Sequence, residues 1–207
     1  MTKEHDLPDL GFAVDALEPY LDAATVQAHH ARHHAGYVEA LNAALSDAPM
    51  LQGLAVEDLL GDLASLPEDL IASVRNFGGG HANHKLYFRT LGAKQGEEAK
   101  GPLAKAIAKD FGSFSAFRKR LTAAAQTRFG SGWAWLCLNR AERLLVITTP
   151  NQDSPLSEGL QPIVGVDVWE HAYTAQYQER RDSYIEAWWQ VINWEAVAAI
   201  FDDAKKA

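Results

Sequence analysis

The chain of 207 residues contains eight histidines, and six of them fall into two tight groups. Scattered surface histidines would not cluster in this way. Imidazole coordinates metal ions through a nitrogen lone pair and is the commonest metal ligand in proteins. A fold that brings the groups together would therefore create a metal site. The groups are His29, His30, His33 and His34, and then His81 and His84; His171 follows later in the chain.

The spacing within these groups limits which histidines can share a site. On a helix, residues four apart share a face, and the first group contains two such pairs. We expect only one pair to face inward, because adjacent residues diverge by about 100° around the helix. His84 would lie level with the first group in an antiparallel helix pair, and Asp167 and His171 are again four apart. Three imidazoles and one carboxylate would suit manganese, iron or zinc and leave a position open for solvent and substrate.

The composition excludes several classes of protein. Hydrophobic residues make up 47% and charged residues 22%, as in ordinary globular domains. A net charge of −8 argues against a nucleic-acid partner, and apolar runs such as 133–138 are too short to span a membrane. The single cysteine, Cys137, excludes an internal disulfide framework. Because the first residues also lack the pattern of a signal peptide, we expect a cytoplasmic protein.

The first half of the chain predicts two long helices. The first would begin at Thr25, a candidate N-cap, and continue to about Ser46. The second would begin at a capping box, Ser65–Glu68, and run towards Thr90. Its glycine run, Gly78–Gly80, weakens it, since each glycine costs about 1 kcal/mol against alanine in a helix. Either another group approaches that backbone closely or the helix breaks there.

The second half predicts helices and a small antiparallel sheet. After a glycine-rich polar linker from Leu91 to Gly101, we expect helices at 102–111 and 113–129, and a tail helix from Ser183 to Phe201. The fold class is α+β, with an N-terminal helical hairpin domain over 1–91 and a C-terminal domain with helices and a three-stranded sheet over 101–207. The expected strands are Trp133–Leu138, Leu144–Thr149 and Ile163–Val168.

Five local strings together resemble the iron/manganese superoxide dismutase family, and the resemblance extends from about Leu7 to Phe201. The strings occur in the order found in that family. They are HHARHHAGYV at 29–38, GGGHANH at 78–84, GSGWAW at 130–135, NQDSPL at 151–156 and DVWEHAY at 167–173.

The resemblance implies a role for each of eleven residues. One manganese ion per subunit, or iron, would be bound by four side chains, two from each half, so that the metal site is also the joint between the halves. The ligands would be His29, His84, Asp167 and His171. Tyr37 and Gln152 would form a hydrogen-bonded pair outside the ligands, His33 would lie at the substrate entrance, and Trp133 and Trp169 would form walls of the pocket. Glu170 would bond the metal-binding histidine of a second subunit, and Arg181 would lie near the channel.

The implied function is disproportionation of superoxide to dioxygen and hydrogen peroxide by a homodimer. The manganese type is favoured because the outer glutamine is Gln152, whereas the alternative position, four residues before His84, is Gly80; we expect that glycine to leave room for the Gln152 side chain. Two alternatives stay open at this point. One is a non-redox zinc hydrolase, and the other is a catalytically weak metal-binding dimer of the same fold.

Two positions depart from the family pattern. Four residues after His84 the family usually has tryptophan, and this chain has Phe88. Three residues after His171 it usually has a tyrosine that reaches the channel histidine of the partner subunit, and this chain has Thr174. Threonine is too short for that contact, so His33 would lack its usual partner across the dimer.

Overall fold

The computed structural model describes residues 4–93 and 98–206. Two long helices form the hairpin of the first half, and each contains a π-helical segment with one extra residue per turn. Shorter helices connect them. The first long helix comprises α1 (Ala23–Ala28), the π segment His29–His34 and α2 (Ala35–Ala44); the connection contains α3 (Pro49–Gln52) and α4 (Val56–Gly61); the second comprises α5 (Glu68–Ser73), the π segment Val74–Gly78 and α6 (Gly79–Arg89).

The long helices begin at residues other than the predicted caps. The carboxylate of Asp22, not Thr25, caps the first helix by accepting from the Thr25 amide at 2.7 Å. The predicted capping box is also wrong, because the Ser65 hydroxyl donates to Asp62 and the helix begins after Pro67. No break occurs at Gly78–Gly80, where the helix continues into α6.

The second half surrounds a three-stranded antiparallel sheet in the order β2-β1-β3. All seven residues of β1 are buried, because it is the central strand and lies in the main core. The predicted strands are confirmed within one or two residues at each end. The strands are β1 (Gly132–Leu138), β2 (Leu144–Pro150) and β3 (Gln161–Asp167), and the helices are α7 (Gly101–Phe111), α8 (Phe114–Thr127), α9 (Thr174–Tyr177), α10 (Arg181–Gln190) and α11 (Trp194–Ala204).

The predicted tail helix is instead two helices, α10 and α11. The helical conformation is interrupted between them, and Asn193 caps α11 because its Oδ1 accepts from the Ala196 amide at 3.1 Å. Just before it, Ile192 forms an isolated bridge with Leu91, which ties the end of the first half to the second. Part of the predicted linker, residues 94–97, lies outside the described residues. No helix in the described ranges is long and apolar enough to cross a membrane.

Candidate metal centre

Four side chains from distant parts of the sequence converge where the two halves meet. The Nε2 atoms of His29 and His171 each lie 3.1 Å from Oδ2 of Asp167, and Nε2 of His84 lies 3.6 Å from the same oxygen. All four ligand atoms lie within 4.8 Å of one another. Asp167 ends β3 and His171 lies in the short 3-10 helix Glu170–Ala172 that follows, whereas the other two histidines come from the long helices.

The hydrogen bonds of His84 leave one of its two ring nitrogens free for a cation. Nδ1 of His84 donates to the carbonyl of Gly80 at 2.7 Å, so its Nε2 carries the lone pair, and that buried atom has no hydrogen-bond partner. Such an orphaned acceptor is costly unless something binds it. Oδ1 of Asp167 accepts from the Trp169 amide at 2.8 Å, which fixes the carboxylate with Oδ2 towards the histidines. The donor set of three nitrogens and one oxygen therefore fits a first-row divalent or trivalent metal.

Burial favours the neutral forms of His29 and His84, whereas the neighbouring histidines keep Asp167 ionised. Desolvation lowers the pKa of His29 and lowers that of His84 well below the usual range. Burial alone would raise the pKa of Asp167, but its electrostatic interactions and hydrogen bonds with His171 and His29 hold it well below its ordinary value. Neutral imidazole and ionised carboxylate are the states that bind metal ions.

The π segment His29–His34 changes which histidines of the first group face inward. We predicted that a single pair four apart would do so, and that is wrong. His29 and His34, five apart, are both buried, because residues five apart align in a π-helical turn. Nε2 of His34 bonds Nδ1 of His81 at 2.9 Å, beside the metal-binding group. His33 is exposed, and its ring stacks on that of His171 at 4.2 Å between centroids.

Gln152 is held at the rim of the group by three neighbours. Its Nε2 donates to the hydroxyl of Tyr37 at 3.1 Å, and its Oε1 accepts from Trp133 Nε1 at 3.0 Å. Asn83 Nδ2 donates to the backbone carbonyl of Gln152 at 3.1 Å. Sequence reasoning missed Asn83, although it lies inside the GGGHANH string. Burial raises the pKa of Tyr37, against the hydrogen bond from Gln152, so the phenol keeps its proton at neutral pH.

Two glycines of the second helix permit this arrangement. We predicted that Gly80 leaves room for the Gln152 side chain, and the structure differs. A Cβ on Gly80 would lie 2.5 Å from ring atoms of Tyr37, so Gly80 makes room for the tyrosine and not for Gln152. A Cβ on Gly79 would overlap the backbone carbonyl oxygen of Gln152. The expected close approach to the glycine run is therefore real, and it involves two different groups.

The aromatic side chains around the histidines include residues that the sequence did not single out. The ring of Trp133 meets that of His84 edge-on at 5.2 Å, and the ring of Trp169 stacks on His171 at 5.5 Å. Tyr87, which sequence reasoning missed, packs its ring 5.1 Å from that of His29 and pairs its hydroxyl with Tyr184. These rings exclude water from the side of the group that faces the core.

The remaining predicted residues lie outside this cluster. Glu170 is exposed, and the hydroxyl of Thr174 donates to its backbone carbonyl at 2.8 Å. Arg181 donates to the carbonyl of Arg128 at 2.6 Å. Phe88 is buried, with its ring 5.1 Å from that of His29, so it fills the space where the family usually has a larger ring.

Comparison with known proteins agrees with this geometry. The α-hairpin domain model of the iron/manganese superoxide dismutases matches residues 4–92, and the C-terminal domain model matches residues 99–200. The chain is 52% identical over 198 residues to Superoxide dismutase (Mn) of Thermus thermophilus, which covers 96% of this chain and 97% of the relative. It is 50% identical over 200 residues to Superoxide dismutase (Mn/Fe) of a Methylomonas species, covering 97% and 98%. The chain belongs to the iron/manganese superoxide dismutase family.

Proposed function

We propose that this chain is a superoxide dismutase that converts superoxide to dioxygen and hydrogen peroxide at one manganese ion held by His29, His84, Asp167 and His171. The observation that carries the proposal is the convergence of three histidine Nε2 atoms on one carboxylate oxygen, inside a buried aromatic wall. When bound, manganese supplies the one-electron oxidation and reduction that the two half-reactions need. The protein supplies the geometry, the dry surroundings and the protons.

The proton supply follows the hydrogen bonds at the rim of the site. Peroxide formation consumes two protons, and Tyr37 is the half-buried residue whose hydroxyl accepts a hydrogen bond from the Gln152 amide. In this proposal the hydroxyl of Tyr37 delivers a proton inward, and the amide of Gln152 orients that hydroxyl. Trp133 fixes the amide by donating to Oε1, which leaves Nε2 for the tyrosine. His33, exposed and stacked on His171, stands at the entrance.

The preference for manganese over iron rests on two supports. The curated relatives at about 50% identity are named for manganese or for manganese and iron. The outer amide comes from the loop after β2 and not from the second long helix, which has Gly80 at the corresponding position. Iron remains an accepted ion in the same ligand set.

A homodimer, a cytoplasmic location and a two-domain division belong to the same proposal. The dimer would bury Glu170, which is exposed in this chain, against the partner subunit's His171. The cytoplasmic location is supported by the single cysteine, Cys137, which is buried and free. The division would be 1–91 and 101–207, since the two family models match on either side of it.

Substrate attraction has to overcome the overall charge of the chain. Superoxide is an anion, and the net charge of −8 repels it. Local focusing by a cationic group beside a narrow opening can outweigh that field. Arg181 is our candidate, because its guanidinium is held in place by hydrogen bonds to the backbone carbonyls of Arg128 and Gly130.

Metal analysis combined with superoxide consumption tests the proposal. The purified protein should contain manganese or iron and consume superoxide rapidly, as followed by pulse radiolysis. Replacing the ligand by His84→Gln should remove the metal and the activity, whereas the matched control His81→Gln, on the same helix, should keep both. Zinc without turnover would favour a hydrolase, and bound manganese or iron without turnover would favour a metal-binding dimer; either result would overturn the proposal.

A further inference from the structure

The backbone that carries Gln152 adopts an unfavourable conformation. Gln152 lies in the turn that follows β2, where the amide of Asp153 donates to the carbonyl of Pro150 at 3.0 Å. Asn151, immediately before Gln152, has a φ of 48°, in the left-handed region that side-chain-bearing residues avoid. Asparagine tolerates this region better than most residues, but the conformation still has to be maintained by the surroundings.

Each of the three residues in this turn has its own contact with the rest of the protein. The carbonyl of Asn151 accepts from Trp169 Nε1 at 2.9 Å, and the carbonyl of Gln152 accepts from Asn83 Nδ2 at 3.1 Å. The carboxylate of Asp153 accepts from two nitrogen atoms of Arg75, with Nε at 2.7 Å from Oδ1 and Nη2 at 2.5 Å from Oδ2. The contact between Asp153 and Arg75 joins two charged groups, and it is bidentate.

The partners in this ion pair come from different halves of the chain. Arg75 lies in the π segment Val74–Gly78, one turn before the glycine that the Gln152 carbonyl touches. Asp153 is the residue directly after Gln152. Two parallel hydrogen bonds from a guanidinium fix a carboxylate in orientation as well as in distance. A shift of Asp153 would therefore be passed to Gln152 through a single peptide unit.

We propose that Arg75 is a positioning residue for the reaction. Through Asp153 it sets how far the Gln152 amide extends towards the metal group, and so holds the bonds of that amide to Tyr37 and Trp133. The inference rests on the role of Gln152 in the proposed function. The competing explanation is an ordinary surface ion pair, since the side chain of Arg75 is 55% exposed and exposed pairs contribute little to stability.

A second surface ion pair provides the matched control. Nη2 of Arg118 lies 2.9 Å from Oε2 of Glu186, with side chains 40% and 58% exposed, and this pair joins two separate helices. In the part of the chain that the structure describes, neither side chain bonds to the turn that carries Gln152. Arg118→Ala therefore removes a comparable surface charge and ion pair without changing the contacts of Arg75, Asp153 or Gln152.

The test compares Arg75→Ala, Asp153→Asn, Arg75→Lys and the charge swap Arg75→Asp with Asp153→Arg, all loaded with manganese. We expect Arg75→Ala and Asp153→Asn to lower kcat roughly three- to tenfold with unchanged metal content, because small displacements of a positioned group are costly. Lysine should restore part of the rate, since it keeps the charge without the two-pronged geometry. The charge swap should restore more than either single change predicts.

Two readouts separate positioning from a merely structural role. The visible absorption band of the bound manganese should shift in Arg75→Ala and Asp153→Asn but not in Arg118→Ala, and crystal structures should show the Gln152 amide displaced from Tyr37. An unshifted band together with a kcat equal to that of Arg118→Ala would overturn the inference. If the unaltered protein binds manganese without consuming superoxide, the proposed function fails, whereas the band and the position of Gln152 still decide whether Arg75 positions it.

Discussion

Alanine substitutions at two helical glycines, Gly79 and Gly36, can be compared to measure the effect of the close approach between Gly79 and Gln152. Both lie in helices, Gly79 in α6 and Gly36 in α2. A methyl group on Gly36 would meet nothing within 4 Å, whereas on Gly79 it would overlap the backbone oxygen of Gln152. Alanine is favoured over glycine in a helix by about 1 kcal/mol at either position. The difference between Gly79→Ala and Gly36→Ala therefore reports the overlap alone.

The magnitude follows from the cost of crowding a packed interior. Overpacking costs roughly 1–3 kcal/mol, and each kcal/mol moves the Tm of a chain of this size by about 2–4 °C. Gly36→Ala should raise the Tm by about 2–4 °C, and Gly79→Ala should melt about 2–12 °C below Gly36→Ala. Displacement of Gln152 by a fraction of an ångström should also lower the turnover of Gly79→Ala by about tenfold.

The measurements are thermal unfolding by circular dichroism and superoxide consumption by pulse radiolysis, both at matched manganese content. Manganese content is the necessary control, since a metal that binds the folded state raises the Tm by itself. If Gly79→Ala and Gly36→Ala melt at the same temperature and turn over at the same rate, then the contact with the Gln152 carbonyl does not constrain the site, and our reading of the glycine run is refuted.

Three further outcomes are expected. Folding lowers the pKa of His29 and of His84, so both are neutral in the folded protein. The free energy of unfolding of the chelator-treated protein should therefore decrease as the pH falls below about 6.5, by up to roughly 1.4 kcal/mol per pH unit for each histidine. Equal urea midpoints at pH 7.5 and 5.5 would contradict this. Arg181→Gln should slow turnover and reduce its dependence on salt, and an unchanged salt profile would exclude local focusing by that residue. Thr174→Tyr should alter the peroxide-forming half-reaction more than the metal content, and identical pulse-radiolysis kinetics would show that position to be neutral.

The parts of the fold that depend on one repeating pattern were predictable. The aromatic and β-branched runs of β1 and β2 were recognisable because the polar turn between them separates two runs of strand-forming residues. The prediction of a single tail helix was wrong for the opposite reason, because the apolar pattern continues across the break between α10 and α11. Asn193 is the residue that ends one helix and caps the next, and its effect depends on the side-chain oxygen reaching the Ala196 amide.

The ligand set was predictable from the local strings, but the geometry around it was not. Two glycines that look equivalent in the sequence touch different partners, because Gly80 faces Tyr37 and Gly79 faces the Gln152 carbonyl. Which neighbour a glycine accommodates depends on the packing of a distant loop. The same holds for Asn83, whose role arises only when the turn after β2 comes within hydrogen-bond distance.

The π-helical segment of the first long helix explains why helical spacing misassigned the histidines, and the two segments together explain how the site is assembled. Insertion of one residue into a helix rotates everything after it by about 100° relative to everything before it. In the first helix, the rotation lets His29 face the carboxylate while His34, five residues later, stays buried beside His84. In the second helix, the segment that contains Arg75 precedes Gly79, so one side of the helix reaches Asp153 at the surface while the following turn meets Gln152. Each helix can therefore serve both a ligand and the surroundings of that ligand.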